Sequence, residues 1–315
     1  MRFPAPVLSI AFAFAASSAA CSSAQPSTTF QDDPQSGGLG GSSSGSSGFG
    51  DTKGSSSSSG GANQAGCSEA AKLVYVVSDS NELYSFAPDK LSFTKIGTLS
   101  CPAGGATPNS MAIDRSGNAW VNFSDGALFK VSTANARCEA TKFQKGQSGF
   151  VRFGMAFATN SATSQEETLY VVGIEDNDIG KGLAKIDLTT MKLTRLGDFS
   201  GDLQGTGAEL TGTGDGKLYG FFTTSPNATL AQIEKGSGAT SGDKDLAGVS
   251  TGNAWAFSFW GGDFWFYTSI GSVPSRVTRL KAGSDGSIST VKADVGGFRI
   301  VGAGVSTCAP TTSPR

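Results

Sequence analysis

Histidine, the side chain that most enzymes use to move protons near neutral pH, is missing from this chain of 315 residues. Ser-His-Asp triads, Cys-His dyads and histidine-ligated zinc, copper or iron sites are therefore excluded. The densest group of oxygen ligands is an acidic loop, 173–178, in which Asp176 and Asp178 alternate with other residues. Such carboxylates suit Ca²⁺, but the full ligand set of an EF-hand loop is absent. The loop is thus either a weak Ca²⁺ site or a solvated turn.

The overall charge is small and slightly negative. The chain has 24 Lys and Arg against 26 Asp and Glu, a formal charge of −2, and only 16% of its residues are charged. A nucleic-acid-binding protein needs a basic face, which this composition does not supply. We therefore expect no nucleic-acid partner.

The first 20 residues have the pattern of an export signal. Arg2 precedes an apolar stretch, 7–16, which is too short to span a bilayer as a helix. The stretch leads into Ser18-Ala19-Ala20-Cys21, which resembles a bacterial lipobox. That resemblance implies a signal peptide over 1–20 and a diacylated Cys21, and thus an outer-membrane lipoprotein. The alternative is ordinary cleavage after Ala20 or Ala24, which gives a periplasmic or extracellular protein.

The segment 21–66 has the composition of a linker. Of the 27 residues from 36 to 62, 21 are Ser or Gly. Such a sequence buries too little apolar surface to offset the entropy of ordering, so we expect a disordered tether. A tether directly after a candidate acylated cysteine is what an anchored domain needs.

From residue 67 to 315 the chain shows an all-β repeat. Strands centred on an aromatic residue recur every 45 to 50 residues, at Tyr75, Trp120, Tyr170, Tyr219 and Trp265. A small-residue strand precedes most of them, and two further strands follow. The outermost strand is predicted over 140–143 in unit two and over 246–249 in unit four. Four strands per unit of this length are typical of a β-propeller blade. We predict five blades, or six if two units are merged.

The two ends of the chain are predicted to complete blade one together. The strand 300–305 has the small residues of an innermost strand and no aromatic strand after it. Placed before Tyr75, it closes the ring and brings Cys308 near Cys67, which we expect to form a disulfide. Cys101 would then pair with Cys138, although their positions could place them at opposite ends of their strands. The alternative is that these thiols stay unpaired.

The stretch 108–121 contains Asp114-Arg115-Ser116-Gly117-Asn118 followed by Trp120-Val121. It resembles the repeat of the NHL and SMP-30/gluconolactonase-like propellers, with weaker copies at 213–219 and 260–265. In terms of the residues alone, Asp and Gly close a tight hairpin and the aromatic packs between blades. The gluconolactonase resemblance also implies a divalent metal held on the axis by Glu, Asn and Asp. Asn109 and Glu209 are the nearest candidates, either as ligands or as solvated loop residues.

Trp260 lies beside Gly261-Gly262 in a predicted hairpin turn. An exposed turn tryptophan could recognise a ligand, or it could fold over the adjacent blade. The remaining aromatic residues of blade five alternate and are assigned to packing between blades.

The sequence favours a non-catalytic binding or scaffold module at the cell envelope, with a protein or glycan as its ligand. The loops 78–81, 124–126, 175–180 and 268–274 are expected to form its binding surface on one face. The alternative is a metal-dependent hydrolase or lactonase on the same fold.

Overall fold

A computed structural model describes residues 67–174 and 179–314. In this part of the chain, twenty strands form five antiparallel sheets of four strands each. The predicted signal peptide 1–20, Cys21, the linker 21–66 and the candidate ligands Asp176 and Asp178 lie outside the described residues.

The sheets follow one another along the chain as blades. Blade one contains β1 (Val74–Ser78), β2 (Glu82–Ala87) and β3 (Ser92–Thr98). Blade two contains β4 (Pro108–Ile113), β5 (Asn118–Phe123), β6 (Leu128–Ser132) and β7 (Cys138–Ala140). Blade three contains β8 (Arg152–Thr159), β9 (Glu167–Ile174), β10 (Gly180–Asp187) and β11 (Lys192–Gly197). Blade four contains β12 (Ala208–Gly212), β13 (Leu218–Phe222), β14 (Thr229–Ile233) and β15 (Thr240–Asp245). Blade five contains β16 (Ala254–Trp260), β17 (Asp263–Ser269), β18 (Arg276–Leu280) and β19 (Ile288–Lys292), and β20 (Ile300–Val305) returns to blade one.

The innermost strands form a closed ring, in the order β20, β4, β8, β12, β16 and back to β20. Their small residues are required by how closely the backbones approach. A Cβ at Gly154 would lie 2.2 Å from the carbonyl oxygen of Ala208, and one at Gly212 would lie 2.0 Å from that of Phe157. The prediction of an all-β, five-bladed propeller is confirmed, and six blades are excluded.

The hydrophobic core lies between the blades rather than at one centre. Five clusters of buried side chains each join two neighbouring sheets. The aromatic residue that marks each repeat packs in the cluster between its own blade and an adjacent one; these residues are Tyr75, Trp120, Tyr170, Tyr219 and Trp265. The repeat is therefore visible in the sequence because the same interface recurs around the ring.

Strand β20 pairs with β1 in antiparallel register, with Val76 opposite Ala303. The chain ends are joined beyond this pair by the predicted disulfide between Cys67 and Cys308, whose Cα atoms are 5.8 Å apart. Blade one is thus completed from both ends of the domain, as expected.

The second predicted disulfide, Cys101–Cys138, is also present, with a Cα–Cα distance of 5.0 Å. The two cysteines meet because each sheet twists, so the end of an outer strand points toward the next blade instead of along the axis. The same close approach between the end of an outer strand and the next blade is seen near the disulfide, where a Cβ at Gly97 would lie 3.1 Å from that of Ala136. In blade three, a Cβ at Gly197 would lie 1.8 Å from the carbonyl oxygen of Ser237 in blade four.

Two outer strands differ from their predicted positions. In blade two the strand is β7 rather than 140–143, and in blade four it is β15 rather than 246–249. Leu246 and Val249, the apolar residues behind the latter prediction, are buried in a turn after β15. An outermost strand is exposed on most of its surface, so its sequence need not alternate.

The helices in the described residues are three 3₁₀ turns, at Ala70–Lys72, Gln147–Gly149 and Gly201–Leu203. Within those residues, no helix has the length and apolar character needed to cross a membrane.

Candidate functional site

One end of the propeller axis is framed by loops that are tied to the starts of the innermost strands. The turn after the second strand of a blade donates a backbone hydrogen bond to the segment that leads into the first. These bonds run from Asp79 N to Arg299 O in blade one, from Ser124 N to Thr107 O in blade two and from Thr223 N to Gly207 O in blade four. In blade five the same two segments are joined from Asn253 N to Ser269 O. We call this end the mouth face.

A cavity of about 560 Å³ opens on the mouth face. Its polar and aromatic lining comes from four blades and the loops before them; the residues are Thr107, Asn109, Ser124, Arg152, Glu209, Asn253 and Trp255. Asn109, Glu209 and Trp255 are each the second residue of an innermost strand. The repeat therefore places one side chain of each such strand at the same depth around the axis.

Glu209 is buried, with 2% of its surface exposed. The Ser110 hydroxyl donates a 2.7 Å hydrogen bond to its Oε2. Burial away from water raises the pKa of Glu209 well above its usual range, and the Ser110 hydrogen bond and the nearby backbone of Met155 and Leu210 offset this only in part. The Ser110–Glu209 hydrogen bond thus links blades two and four across the axis.

Asn109 is half-buried beside Glu209 in the same cavity. Its Nδ2 donates to Asn122 Oδ1 at 3.1 Å and to Phe153 O at 3.3 Å. Asn122 is fully buried and is fixed in turn, because its Nδ2 donates to Val151 O and its Oδ1 accepts from Phe153 N. The Asn109 amide is therefore held in one orientation, with both amide protons used and Oδ1 available as an acceptor.

Trp255, which we assigned to packing, also lines the cavity. It is half-buried and makes an edge contact with Phe221, at a ring-centroid distance of 6.1 Å. The alternating sequence pattern of β16 is the same whether a residue packs between blades or lines the cavity, so the pattern could not tell which role Trp255 has. The distinguishing signal was its position as the second residue of an innermost strand, equivalent to Asn109 and Glu209.

Trp260 does not contribute to this cavity. It lies at the end of β16, at the opposite end of the axis, where its indole N–H donates to Lys72 O at 2.9 Å. Its side chain is half-buried and packs against the core cluster shared with blade one. Of the two interpretations of Trp260, the structure shows the tryptophan folded over the adjacent blade. The turn itself is made by Gly261 and Gly262, both with positive φ.

The face opposite the mouth is covered by the chain's own C-terminal segment. Ser306 Oγ donates to Ala71 O at 2.6 Å, and Gly261 N donates to Pro310 O at 2.7 Å. Thr307 Oγ1 donates to Glu167 Oε2 at 2.8 Å, while Arg115 N donates to Glu167 Oε1 at 2.7 Å. Burial is the main cause that raises the pKa of Glu167 from 4.5 to about 7.

The Asp-x-x-Gly-Asn motif serves the hairpin between β4 and β5. Asp114 Oδ1 accepts the Asn118 N–H at 2.9 Å, and Asp114 Oδ2 accepts the Trp120 indole N–H at 3.0 Å. Gly117 has a φ of 82°, which favours glycine. These contacts are local to the turn, and the motif residues do not line the cavity.

No group of three or more His, Cys, Asp and Glu side chains that could hold a metal occurs among the described residues. The candidates Asn109 and Glu209 are brought together, but without a third ligand of this kind in the described part of the chain. Because burial disfavours the ionised form of Glu209 that a divalent metal needs, this pair is a poor fit for such a metal. The acidic loop with Asp176 and Asp178 lies outside the described residues, so a weak Ca²⁺ site there stays a prediction.

No family model matches the chain, and no curated protein matches it. Solved structures share the fold at low identity. A gluconolactonase from Xanthomonas campestris is 13% identical, with 73% of this chain and 74% of that chain covered and a TM-score of 0.44. The calcium-binding protein regucalcin from Agrobacterium tumefaciens is 15% identical, with 70% of each chain covered and a TM-score of 0.39.

A third structure, the Kuenenia stuttgartiensis hydrazine synthase, is 12% identical, with 74% of this chain covered and a TM-score of 0.40. The match covers 66% of that chain, so this chain spans just under two thirds of its length. The fold and the cavity together define the chain as a five-bladed β-propeller with a polar mouth.

Proposed function

We propose that this protein is an exported, non-catalytic binding module that presents its mouth face to a ligand at the cell envelope. The observation that carries this proposal is how polar groups are used in the mouth cavity. The buried carboxyl of Glu209 accepts a hydrogen bond from Ser110, whereas the Trp255 indole N–H and the Asn253 side chain have no hydrogen-bond partner among the described residues. A cavity with that division of roles is suited to holding a ligand rather than activating water.

Exposed apolar side chains add to the argument for the mouth face. The described residues have five exposed large hydrophobic side chains, and four of them lie on loops of this face. These four are Val151, Ile179, Ile270 and Val273, with 42% to 55% of their surfaces exposed. Clustered apolar residues around a polar cavity favour contact with a larger partner.

Export and anchoring belong to the same proposal. Two disulfides fit a protein that matures in an oxidising compartment. We propose that Cys21 carries the lipid anchor and that 21–66 is the tether. The tether would enter the propeller at Cys67, on the face opposite the mouth, which leaves the mouth face directed away from the attachment point.

The second candidate function is a metal-dependent hydrolase or lactonase. The observation in its favour is that Asn109 and Glu209 line one cavity on the axis. In that case a divalent metal would have to displace the Ser110 hydroxyl from the carboxyl and keep the buried carboxyl ionised. We place this function second because of that cost.

The decisive experiment compares retention of immobilised envelope components by the full-length protein and by surface variants. The paired change Ile270→Ser and Val273→Ser on the mouth face is expected to reduce retention. Leu73→Ser, on the opposite face with 39% of its surface exposed, is the matched control and is expected to leave retention unchanged. Equal retention by all proteins would contradict the proposal. Lactone hydrolysis that requires a divalent metal and is lost in Glu209→Gln would establish the hydrolase instead.

A further inference from the structure

Trp255 differs from the other three tryptophans in what its indole N–H does. The N–H groups of Trp120, Trp260 and Trp265 donate to Asp114, to the carbonyl oxygen of Lys72 and to that of Trp260, respectively. The Trp255 N–H donates no hydrogen bond within the described part of the chain, although the ring is half-buried and lines the mouth cavity. No buried side-chain N or O atom of the described residues lacks a partner, so the Trp255 N–H is open to the cavity.

Two amide side chains that line the same cavity as Trp255 have spare hydrogen-bonding capacity as well. Asn109 Oδ1 accepts no hydrogen bond from the described residues, although the amide is fixed by its Nδ2 contacts to Asn122 and Phe153. The exposed side chain of Asn253 has no hydrogen bond in those residues, whose contacts to this residue are to its backbone. The cavity thus offers an aromatic ring, an N–H donor and neutral amide groups together.

The charges in the cavity select against an ionic ligand. Among the described residues that line it, the ionisable side chains are Glu209 and Arg152. Glu209 is buried and hydrogen-bonded to Ser110, and burial disfavours its ionised form. Arg152 already has an interaction of its own. The remaining polar lining consists of amides and hydroxyls, which bond equally well to hydroxyl donors and acceptors.

We propose that the mouth cavity binds a neutral saccharide unit whose ring lies against Trp255 and whose hydroxyl groups bond to Asn109, Asn253 and the Trp255 N–H. The inference rests on the proposed binding function and names its ligand class. A sugar ring has an apolar C–H face for the indole and hydroxyl groups for the amides. A cavity of about 560 Å³ lies within the range that holds small organic ligands.

The test is a calorimetric titration of the full-length protein with three neutral disaccharides: cellobiose, maltose and N,N′-diacetylchitobiose. We expect at least one to bind. Trp255→Ala is expected to weaken that binding by about tenfold or more, because both the ring and the N–H are lost. Trp255→Phe keeps an aromatic face without the donor, so a smaller loss is expected. Trp260→Phe, which removes an indole N–H at the opposite end of the axis, is the matched control and should bind as the unmodified protein does.

Glucuronate and inorganic phosphate serve as charged probes in the same titrations. Binding of these anions without binding of any neutral disaccharide would overturn the inference and define an anion site. No binding of the three disaccharides, or binding that Trp255→Ala leaves unchanged, would also overturn it. Retention of envelope components that still depends on Ile270 and Val273 would show that the proposed binding function stands without the saccharide. If no disaccharide binds and retention does not depend on Ile270 and Val273, both the saccharide proposal and the proposed binding function are rejected.

Discussion

The hydroxyl of Ser110 donates a 2.7 Å hydrogen bond to the buried carboxyl of Glu209 across the axis of the propeller. The two residues are on the innermost strands of blades two and four, so this hydrogen bond joins two blades that are not neighbours in the ring. Burial raises the pKa of the carboxyl well above its usual range, so the side chain acts here as a hydrogen-bonding group rather than as an ion.

That arrangement predicts different costs for two substitutions of Glu209. Glu209→Ala leaves the Ser110 hydroxyl without its acceptor at a buried position on the axis, which should lower the free energy of unfolding by about 1–3 kcal/mol. Glu209→Gln keeps an acceptor oxygen of nearly the same shape, so the loss should be about 1 kcal/mol or less. Urea unfolding midpoints measure both.

Glu139→Ala is the control for these variants, because Glu139 is exposed on the outermost strand β7. Its effect is expected to stay within about 0.5 kcal/mol. If Glu209→Ala were as stable as Glu139→Ala, the Ser110–Glu209 hydrogen bond would be shown not to stabilise the ring.

The disulfides predict a ranking of stability. The Cys67–Cys308 bond joins residues 241 apart in sequence, and Cys101–Cys138 joins residues 37 apart. Loop entropy alone gives upper values of about 5 and about 4 kcal/mol. Cys67→Ser with Cys308→Ser should therefore lower the unfolding midpoint more than Cys101→Ser with Cys138→Ser. The first pair also holds the C-terminal strand in blade one.

Thiol titration of the denatured, unreduced protein provides the check on these variants. We expect no reactive thiol at Cys67, Cys101, Cys138 or Cys308. A reactive Cys67 or Cys308 would mean that the ring is closed by the β1–β20 pairing alone.

The blades could be predicted because their inner strands repeat one environment. The strand predicted over 300–305 is β20 with the same bounds, since small residues there reflect the close backbone contacts at the axis. The polar edge strand β15, by contrast, has five exposed residues of six and no pattern to recognise. Its neighbours Leu246 and Val249 are apolar because a turn buries them.

The site was predicted only in part, and for a physical reason. Asn109 and Glu209 were recognised because the gluconolactonase resemblance implies Glu and Asn ligands on the axis and both residues lie where innermost strands were predicted to begin. Trp255 satisfies both a packing and a binding interpretation, and alternation does not distinguish them, whereas its position as the second residue of an innermost strand does. Trp260 was placed in an exposed turn because Gly261 and Gly262 follow it, yet the turn directs the ring onto blade one.

The proposed anchor predicts the behaviour of Cys21→Ala. The unmodified protein is expected in the membrane fraction with a diacylated mature N-terminus, because stable attachment needs a buried acyl chain pair. Cys21→Ala should appear in the soluble fraction, and Ser23→Ala is the matched control that should stay with the membrane. Mass spectrometry of the mature N-terminus measures the outcome. A mature chain without lipid that begins after Ala20 or Ala24 would contradict the anchor.

From the raised pKa of Glu167 we expect the propeller to lose stability as the pH rises from about 4.5 to about 7. Burial raises the pKa of this carboxyl to about 7 in the folded protein, above its ordinary value of 4.5. The folded state therefore binds the proton more tightly than the unfolded state does. Stability from this group is complete below pH 4.5 and is lost by about pH 7, with an upper value of about 3 kcal/mol.

The reason lies in the surroundings of Glu167 on the face opposite the mouth. The Arg115 N–H and the Thr307 hydroxyl stabilise the ionised form, but burial outweighs them and the nearby Asp114 opposes ionisation. Glu209, whose pKa is also raised by burial, acts in the same direction. Carboxyls with lowered pKa, such as Asp125 and Asp215, lose their stabilising effect only at lower pH, so they do not obscure this window.

Thermal unfolding between pH 4.5 and pH 8 tests this prediction. The unmodified protein should unfold at a lower temperature at pH 8 than at pH 5, and Glu167→Gln should reduce that difference because it cannot ionise. Glu166→Gln is the matched control, because Glu166 is next to Glu167 in the sequence but its side chain is exposed. This variant should keep the full difference in unfolding temperature between pH 5 and pH 8. An unfolding temperature that rises from pH 5 to pH 8 in the unmodified protein would show that ionised Glu167 is the stabilising form, held by Arg115 and Thr307.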